Sequence, residues 1–160
     1  MATKKNLVVY FSHSGNTREV ANQIQKNIGG DIFEIQSEVP YSDDYDTVVA
    51  QAKKEIENNH NPALKSKVKN IESYDTIFIG SPCWWSTVAP PVKTFLLEYD
   101  LSGKTIVPFM THEGSGLGKS VDDISKMCSK SNVLEGLAVR GGSVKNSQNK
   151  IIEWLNKIKK

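Results

Sequence analysis

A chain of 160 residues, 38% hydrophobic and 24% charged, suffices for one globular domain over residues 1–160 with a sizeable core, and leaves no room for a second. Its net charge of +2 is unevenly spread: no Lys or Arg stands between Lys26 and Lys53, a window that holds Asp31, Glu34, Glu38, Asp43, Asp44 and Asp46. Lysines kept apart from Trp and Tyr argue against a nucleic-acid surface, the apolar run 7–11 is too short for a signal or membrane segment, and the distant Cys83 and Cys128 suggest neither a disulfide framework nor a zinc site. A cytoplasmic monomer without nucleic-acid or membrane contact is expected.

Runs rich in Val, Ile and Phe at 7–11, 31–35, 75–80, 104–110 and 133–139 predict strands. Helical patterns follow at 17–29, where Val20, Ile24 and Ile28 share one face, and at 47–59, 91–100, 120–128 and 149–158. Five strands alternating with helices predict an α/β fold, a doubly wound parallel sheet covered on both faces. The connection over 36–74 is unusually long, and Asn61-Pro62 should stop its helix; with Tyr41 and Tyr45 it can form a lid or a substrate wall. In such sheets ligands sit beyond the carboxyl ends of the strands. That rule selects the loops 12–17, 80–91 and 111–118.

In the first loop, Ser12, Ser14 and Thr17 supply hydroxyls, Asn16 an amide, and Gly15 leads into a helix whose N-terminal N–H groups favour a phosphate. The loop holds no Lys or Arg, so it suits neutral recognition of a terminal monophosphate, with Arg18 beside it as a possible neutralising charge; the plainer alternative is a helix cap and a tight turn. Only one glycine is present, against the three of a dinucleotide fingerprint. In the second loop, Trp84 and Trp85 cannot both face one core, so at least one indole belongs at the ligand end, where a flat ring can stack. In the third, the "GLGKS" string imitates a P-loop, but Glu113 occupies the position of its first glycine; Gly114, Gly116 and Gly118 are read as letting backbone approach a ligand. Cys83 is read as a small loop residue and Cys128 as core.

The hydroxyl loop, with Tyr10, Ser12, Gly15, Thr17, Ala21 and Ile24 in step, together with the two later loops, resembles the flavodoxin family of the short-chain type, over the whole chain. The resemblance implies a three-layer, five-stranded sheet in the order 2-1-3-4-5 and a non-covalent FMN. The phosphate would meet Ser12, Ser14, Asn16 and Thr17 with the N–H groups of His13 and Gly15; the ring would lie between Pro82, Cys83, Trp84, Trp85 and Ser86 on one side and Thr111, His112, Glu113, Gly114, Ser115 and Gly116 on the other. It further implies an electron carrier serving a reductase and redox partner proteins. The alternative is an NAD(P)H-dependent FMN or quinone reductase, against which no basic cluster stands at the ligand end to grip a second nucleotide.

Two departures from that family shape the expectations. Residues 81–89 hold neither Gly nor an acid, so a peptide flip at 83–85 beside the flavin meets the Cβ cost of positive φ, about 1 kcal/mol. Asp43, Asp44, Asp46 and Glu113 would supply a local acidic docking face on a chain that is otherwise slightly basic. A protonated His112 near the ring would stabilise negative charge there; the simpler reading leaves the side chains of His112 and Glu113 in solvent.

Overall fold

A computed structural model describes residues 5–158 except Ser14, Pro40, residues 59–61 and Ser115, with the backbone alone at Tyr45. The expected order of elements is present: β1 (Asn6–Tyr10), α1 (Asn16–Ile28), β2 (Asp31–Glu34), α2 (Tyr45–Glu57), β3 (Thr76–Trp84), β4 (Thr87–Val88), α3 (Pro90–Glu98), β5 (Thr105–His112), α4 (Ser120–Met127), β6 (Asn132–Val133), β7 (Leu137–Arg140) and α5 (Gln148–Ile158). Short 3-10 turns cover Ile71–Ser73 and Gly141–Asn146. The sheet runs β2-β1-β3-β5-β6, with β7 continuing the edge along β5. Counting β6 and β7 as one interrupted strand, this is the doubly wound order 2-1-3-4-5.

Alternation along the strands feeds two cores. Leu7 and Val9 of β1, Ile77 and Ile79 of β3, and Ile106 and Met110 of β5 face Val92, Phe95 and Leu96 of α3 and Ile124 of α4. Val8 and Tyr10, Phe78, Val107 and Phe109 face Val20, Ala21 and Ile24 of α1 and Ile151, Trp154 and Leu155 of α5. Strands buried on both faces need apolar residues at every position, which explains why their sequences read as continuous runs. The helices in turn bury one stripe each.

Two strands differ from the sequence expectation. The run 133–139 is not one strand: β6 and β7 each pair in parallel with β5, the Leu134 N–H still donates to the Ile106 carbonyl at 2.9 Å, and the pairing lapses at 135–136. Trp154 Nε1–H donates to the Glu135 carbonyl at 3.0 Å, so a helix side chain satisfies a group that the ladder does not. The run 75–80 continues to Trp84, because the β3–β5 ladder extends through Ser81↔Met110 and Pro82↔Thr111. Half of the expected second loop is therefore strand, and it turns back into β4 as a hairpin.

Candidate functional site

The C-terminal ends of β1, β3 and β5 converge on a cleft of about 790 Å³ lined by His13, Asn16, Val49, Pro82, Cys83, Trp84, Trp85, Ser86, Thr111, His112 and Glu113. Such volumes are ordinary for ligand sites.

One end is the N-terminus of α1. Gly15 occupies the cap position at φ 97 and carries no side chain to close the helix. Ser12 substitutes: its Oγ accepts the Gly15 N–H at 3.0 Å and the Arg18 N–H at 3.3 Å. The N–H groups of Asn16 and Thr17 have no acceptor among the described residues, so two donors backed by the helix dipole face the ligand end. The Thr17 hydroxyl, 1% exposed, shares a 2.7 Å hydrogen bond with Thr111 and ties the first loop to the third. Arg18 does not serve the loop. It pairs with Glu34 at 2.6 Å, leaving the α1 terminus to neutral donors.

The other end is the β3–β4 hairpin. Cys83 pairs with Val88 and Trp84 with Thr87, so Trp85 and Ser86 form a two-residue turn, with φ of 54° and 65°. Two positive φ values match the twist of a tight hairpin, but that position ordinarily selects Asn-Gly, and each Cβ here costs about 1 kcal/mol or more. The cost expected for positive φ in this loop is thus real, but the folded chain already carries it. Several contacts hold the turn. The Ser86 carbonyl accepts the Lys119 N–H at 2.6 Å, the Ala89 N–H donates to the buried Ser81 hydroxyl at 2.9 Å, and Thr87 hydrogen-bonds Asp123. Gly118, at φ 55, lies so close that a Cβ on it would stand 2.6 Å from the Ser86 oxygen. Gly118 therefore serves the hairpin's close approach rather than a ligand's, which corrects its reading as a ligand-facing glycine.

The two tryptophans divide the work. Trp84 is wedged edge-on among Phe11, His13 and Tyr41, with ring centroids 5.5–5.8 Å apart, and packs against the core. Trp85 is 51% exposed at the mouth, where its Nε1–H donates to the Val49 carbonyl at 3.1 Å and the Lys53 ammonium lies 5.4 Å from its ring. The long connection thus reaches the cleft as a wall. Val49 of α2 lines it, His13 Nε2–H donates to the Ser42 carbonyl at 2.7 Å, and the Tyr41 hydroxyl binds Glu55 at 2.6 Å. Burial first, then the Glu55 carboxylate, pushes the Tyr41 phenol well above its ordinary range. Nothing in the sequence marks Val49 individually; only the length of the 36–74 connection pointed to it.

In the third loop the His112 Nδ1 accepts the Gly114 N–H at 2.9 Å, which requires an unprotonated Nδ1. Burial, followed by the charges of Lys150 and Arg140, lowers the His112 pKa, against a smaller opposing pull from Glu113. While the Gly114 bond is made, the ring's proton sits on Nε2. Arg140 stands opposite His112 in the β5–β7 ladder, and neither it nor Lys150 is among the residues that line the cleft. Of the acidic residues expected there, Asp44 caps α2, accepting the Thr47 N–H at 3.0 Å, and Asp43 lines a separate 320 Å³ cleft with Ser12, His13 and Glu38. The Glu113 carboxylate rests against Gly141, where a Cβ would lie 2.2 Å from its Oε1 and 2.7 Å from the Asn16 amide nitrogen.

The Cys83 sulfur points away from Trp84, toward Leu117 and Ser120 at 3.8 Å, and Cys128 is buried, its thiol pKa raised by that burial. Gly114 and Gly116 take positive φ at the rim. Ser14 and Ser115 lie outside the described residues. No group of three or more metal-ligating side chains occurs among the described residues, and no helix among them is long and apolar enough to cross a membrane.

A doubly wound α/β domain with a neutral anion-receptive turn and an aromatic wall at the strand ends defines a flavodoxin-like nucleotide-binding protein. The sequence profile of the flavodoxin family matches residues 5–158, and the chain belongs to that family. A flavoprotein of Bacteroides eggerthii is 32% identical, with a TM-score of 0.79 over 94% of this chain and 99% of that one. A flavoprotein of Bacteroides uniformis is 28% identical, with a TM-score of 0.86 over 97% and 99%. The flavoprotein of Lactobacillus acidophilus, solved in complex with FMN, is 28% identical, with a TM-score of 0.75 over 92% and 99%. No curated protein matches the chain.

Proposed function

We propose that the chain is an FMN-binding electron carrier of the cytoplasm, taking electrons from a reductase and passing them to redox partner proteins. The observation that carries this reading is the joining, in one cleft, of an α1 N-terminus whose Asn16 and Thr17 N–H groups have no acceptor among the described residues to an aromatic hairpin whose outer tryptophan is half exposed. The residues fit the cofactor. The N–H groups of Asn16 and Thr17, the Ser12 hydroxyl and the Asn16 amide would hold the phosphate, and Trp84, Trp85, Thr111 and His112 would border the ring. FMN, when bound, supplies one- and two-electron redox chemistry; the protein contributes orientation, exclusion of water and local dipoles. Neutral donors at the phosphate end bind without a fixed charge that would need desolvation. The exposed edge beside Trp85 lies where a partner protein can reach it.

Reconstitution with FMN followed by stepwise dithionite reduction tests the reading. A long-wavelength absorbance band at partial reduction is expected, and a direct passage from yellow to bleached overturns it. The second reading, an NAD(P)H-dependent flavin reductase acting on quinone-like acceptors, is favoured by a specific observation, the wall that the 36–74 connection sets beside the cleft through Val49 of α2.

A further inference from the structure

One wall of the cleft is only lightly attached to the rest of the fold. Helix α2 brings Val49 to the cleft, yet among the described residues it gives no side chain to either hydrophobic core and buries only Val48 and Ala52. Helix α1, of equal length, buries Thr17, Val20, Ala21 and Ile24. Open space also flanks α2. The 320 Å³ cleft borders the approach to the helix at Tyr41 and Asp43, and another of about 280 Å³ borders its last turns at Glu55 and Ile56.

Side-chain hydrogen bonds fasten this segment instead. At the phosphate end the His13 Nε2–H donates to the Ser42 carbonyl at 2.7 Å. At the hairpin end the Trp85 Nε1–H donates to the Val49 carbonyl at 3.1 Å, and the Lys53 ammonium lies 5.4 Å from the indole. Both donors line the flavin cleft, so residues 42–49 run from the first loop to the second along its side. A third fastening lies outside the cleft. Tyr41 packs edge-on against Phe11 and Trp84, and its hydroxyl donates to Glu55 at 2.6 Å, tying the start of the segment to the far end of α2. A segment with little apolar burial, held by a few single hydrogen bonds, opens at low cost while the sheet stays folded.

We propose that residues 41–55 form a strap along the flavin cleft, and that its opening, restrained by the Tyr41–Glu55 bond, sets how fast FMN enters and leaves. The inference rests on FMN binding and holds for a carrier and a reductase alike. His13 and Trp85 belong to the two loops that would meet the phosphate and the ring, so the strap is fastened at both ends of the bound cofactor. The Tyr41–Glu55 bond does not touch the cleft and restrains the strap equally in the free and the loaded protein. Weakening it therefore raises the open fraction of both, which speeds entry and release together and leaves affinity unchanged. A lost contact with the flavin behaves differently: it speeds release alone and weakens binding.

Stopped-flow fluorescence of FMN mixed with the flavin-free full-length chain gives the entry rate, and rapid dilution of the loaded protein gives the release rate. Tyr41→Phe keeps the ring against Trp84 and deletes the hydroxyl; Glu55→Ala deletes its acceptor, and neither residue lines the flavin cleft. Each should raise both rates about fivefold, the worth of one ordinary hydrogen bond, with Kd within twofold of wild type. Glu55→Gln still accepts from Tyr41 and should keep both rates within twofold of wild type. Urea midpoints check that each variant is folded. Unchanged rates in Tyr41→Phe and Glu55→Ala, or faster release with an unchanged entry rate, overturn the strap and leave FMN binding standing. Absence of FMN binding in the wild type removes both.

Discussion

The two ends of the cleft are made in opposite ways. At the α1 terminus a few consecutive residues do everything: Ser12 caps, Gly15 turns, and the next two N–H groups point outward. At the hairpin, a strained two-residue turn is held by contacts from four residues in two distant parts of the chain: Val49 and Lys53 of α2, and Lys119 and Asp123 at the start of α4. The local end is sturdy by its own hydrogen bonds. The other end depends on its neighbours, and conformations costing about 1 kcal/mol or more per residue persist only where surrounding structure over-determines them.

Substitutions can break this contrast. Trp84→Ala should be the most damaging, at about 3 kcal/mol, because it removes the ring on which Phe11, His13 and Tyr41 pack, whereas Trp85→Ala should cost less than about 1 kcal/mol. Urea denaturation of the two variants side by side checks the pair. Gly118→Ala should cost about 2 kcal/mol, adding a methyl against the Ser86 carbonyl to a positive φ, and limited proteolysis should then cut the 84–88 hairpin before any other segment. At the opposite end Ser12→Ala should cost about 1 kcal/mol, the ordinary loss of a helix cap, and should weaken FMN binding measured by fluorescence quenching.

Smaller effects sharpen the comparison. Ser86→Gly removes a Cβ at positive φ and should raise stability by about 0.5 kcal/mol, seen as a small rise in the urea midpoint; no gain would mean that the turn is not strained. His112 supplies a pH test. Its folded-state pKa is depressed, so the unfolded chain binds more protons as pH falls. Its contribution to stability is complete above the unfolded value near 6.5 and is lost as pH falls through that value toward the lower folded one. His112→Asn should flatten the stability profile between pH 7 and 5, measured by denaturant midpoints.

The sequence was most legible where structure is local or periodic. Each expected helix occurs, with ends within a few residues, because a buried stripe at 3.6-residue spacing is written directly in the positions of Val20, Ile24 or Ile151. Strand ends were harder. A ladder continues as long as a partner strand offers groups to pair, so Pro82, which reads as a loop residue, sits in register with Thr111. The break between β6 and β7 falls on Glu135-Gly136, the two residues that interrupt the apolar run, and there the Trp154 indole satisfies the displaced Glu135 carbonyl.

The sequence alone determined the doubly wound alternation and the hydroxyl turn at 12–17, because both rest on residues adjacent or periodic in the chain. Tertiary structure decided the rest. It set Trp84 against the core and Trp85 at the mouth, brought α2 to the cleft, paired Arg18 away from it, and placed Arg140 opposite His112 in the ladder. The physical reason is that strand register and helix packing juxtapose groups from distant parts of the chain. Charge and hydrogen bonding act on those distances in space, of which the order of residues gives no measure.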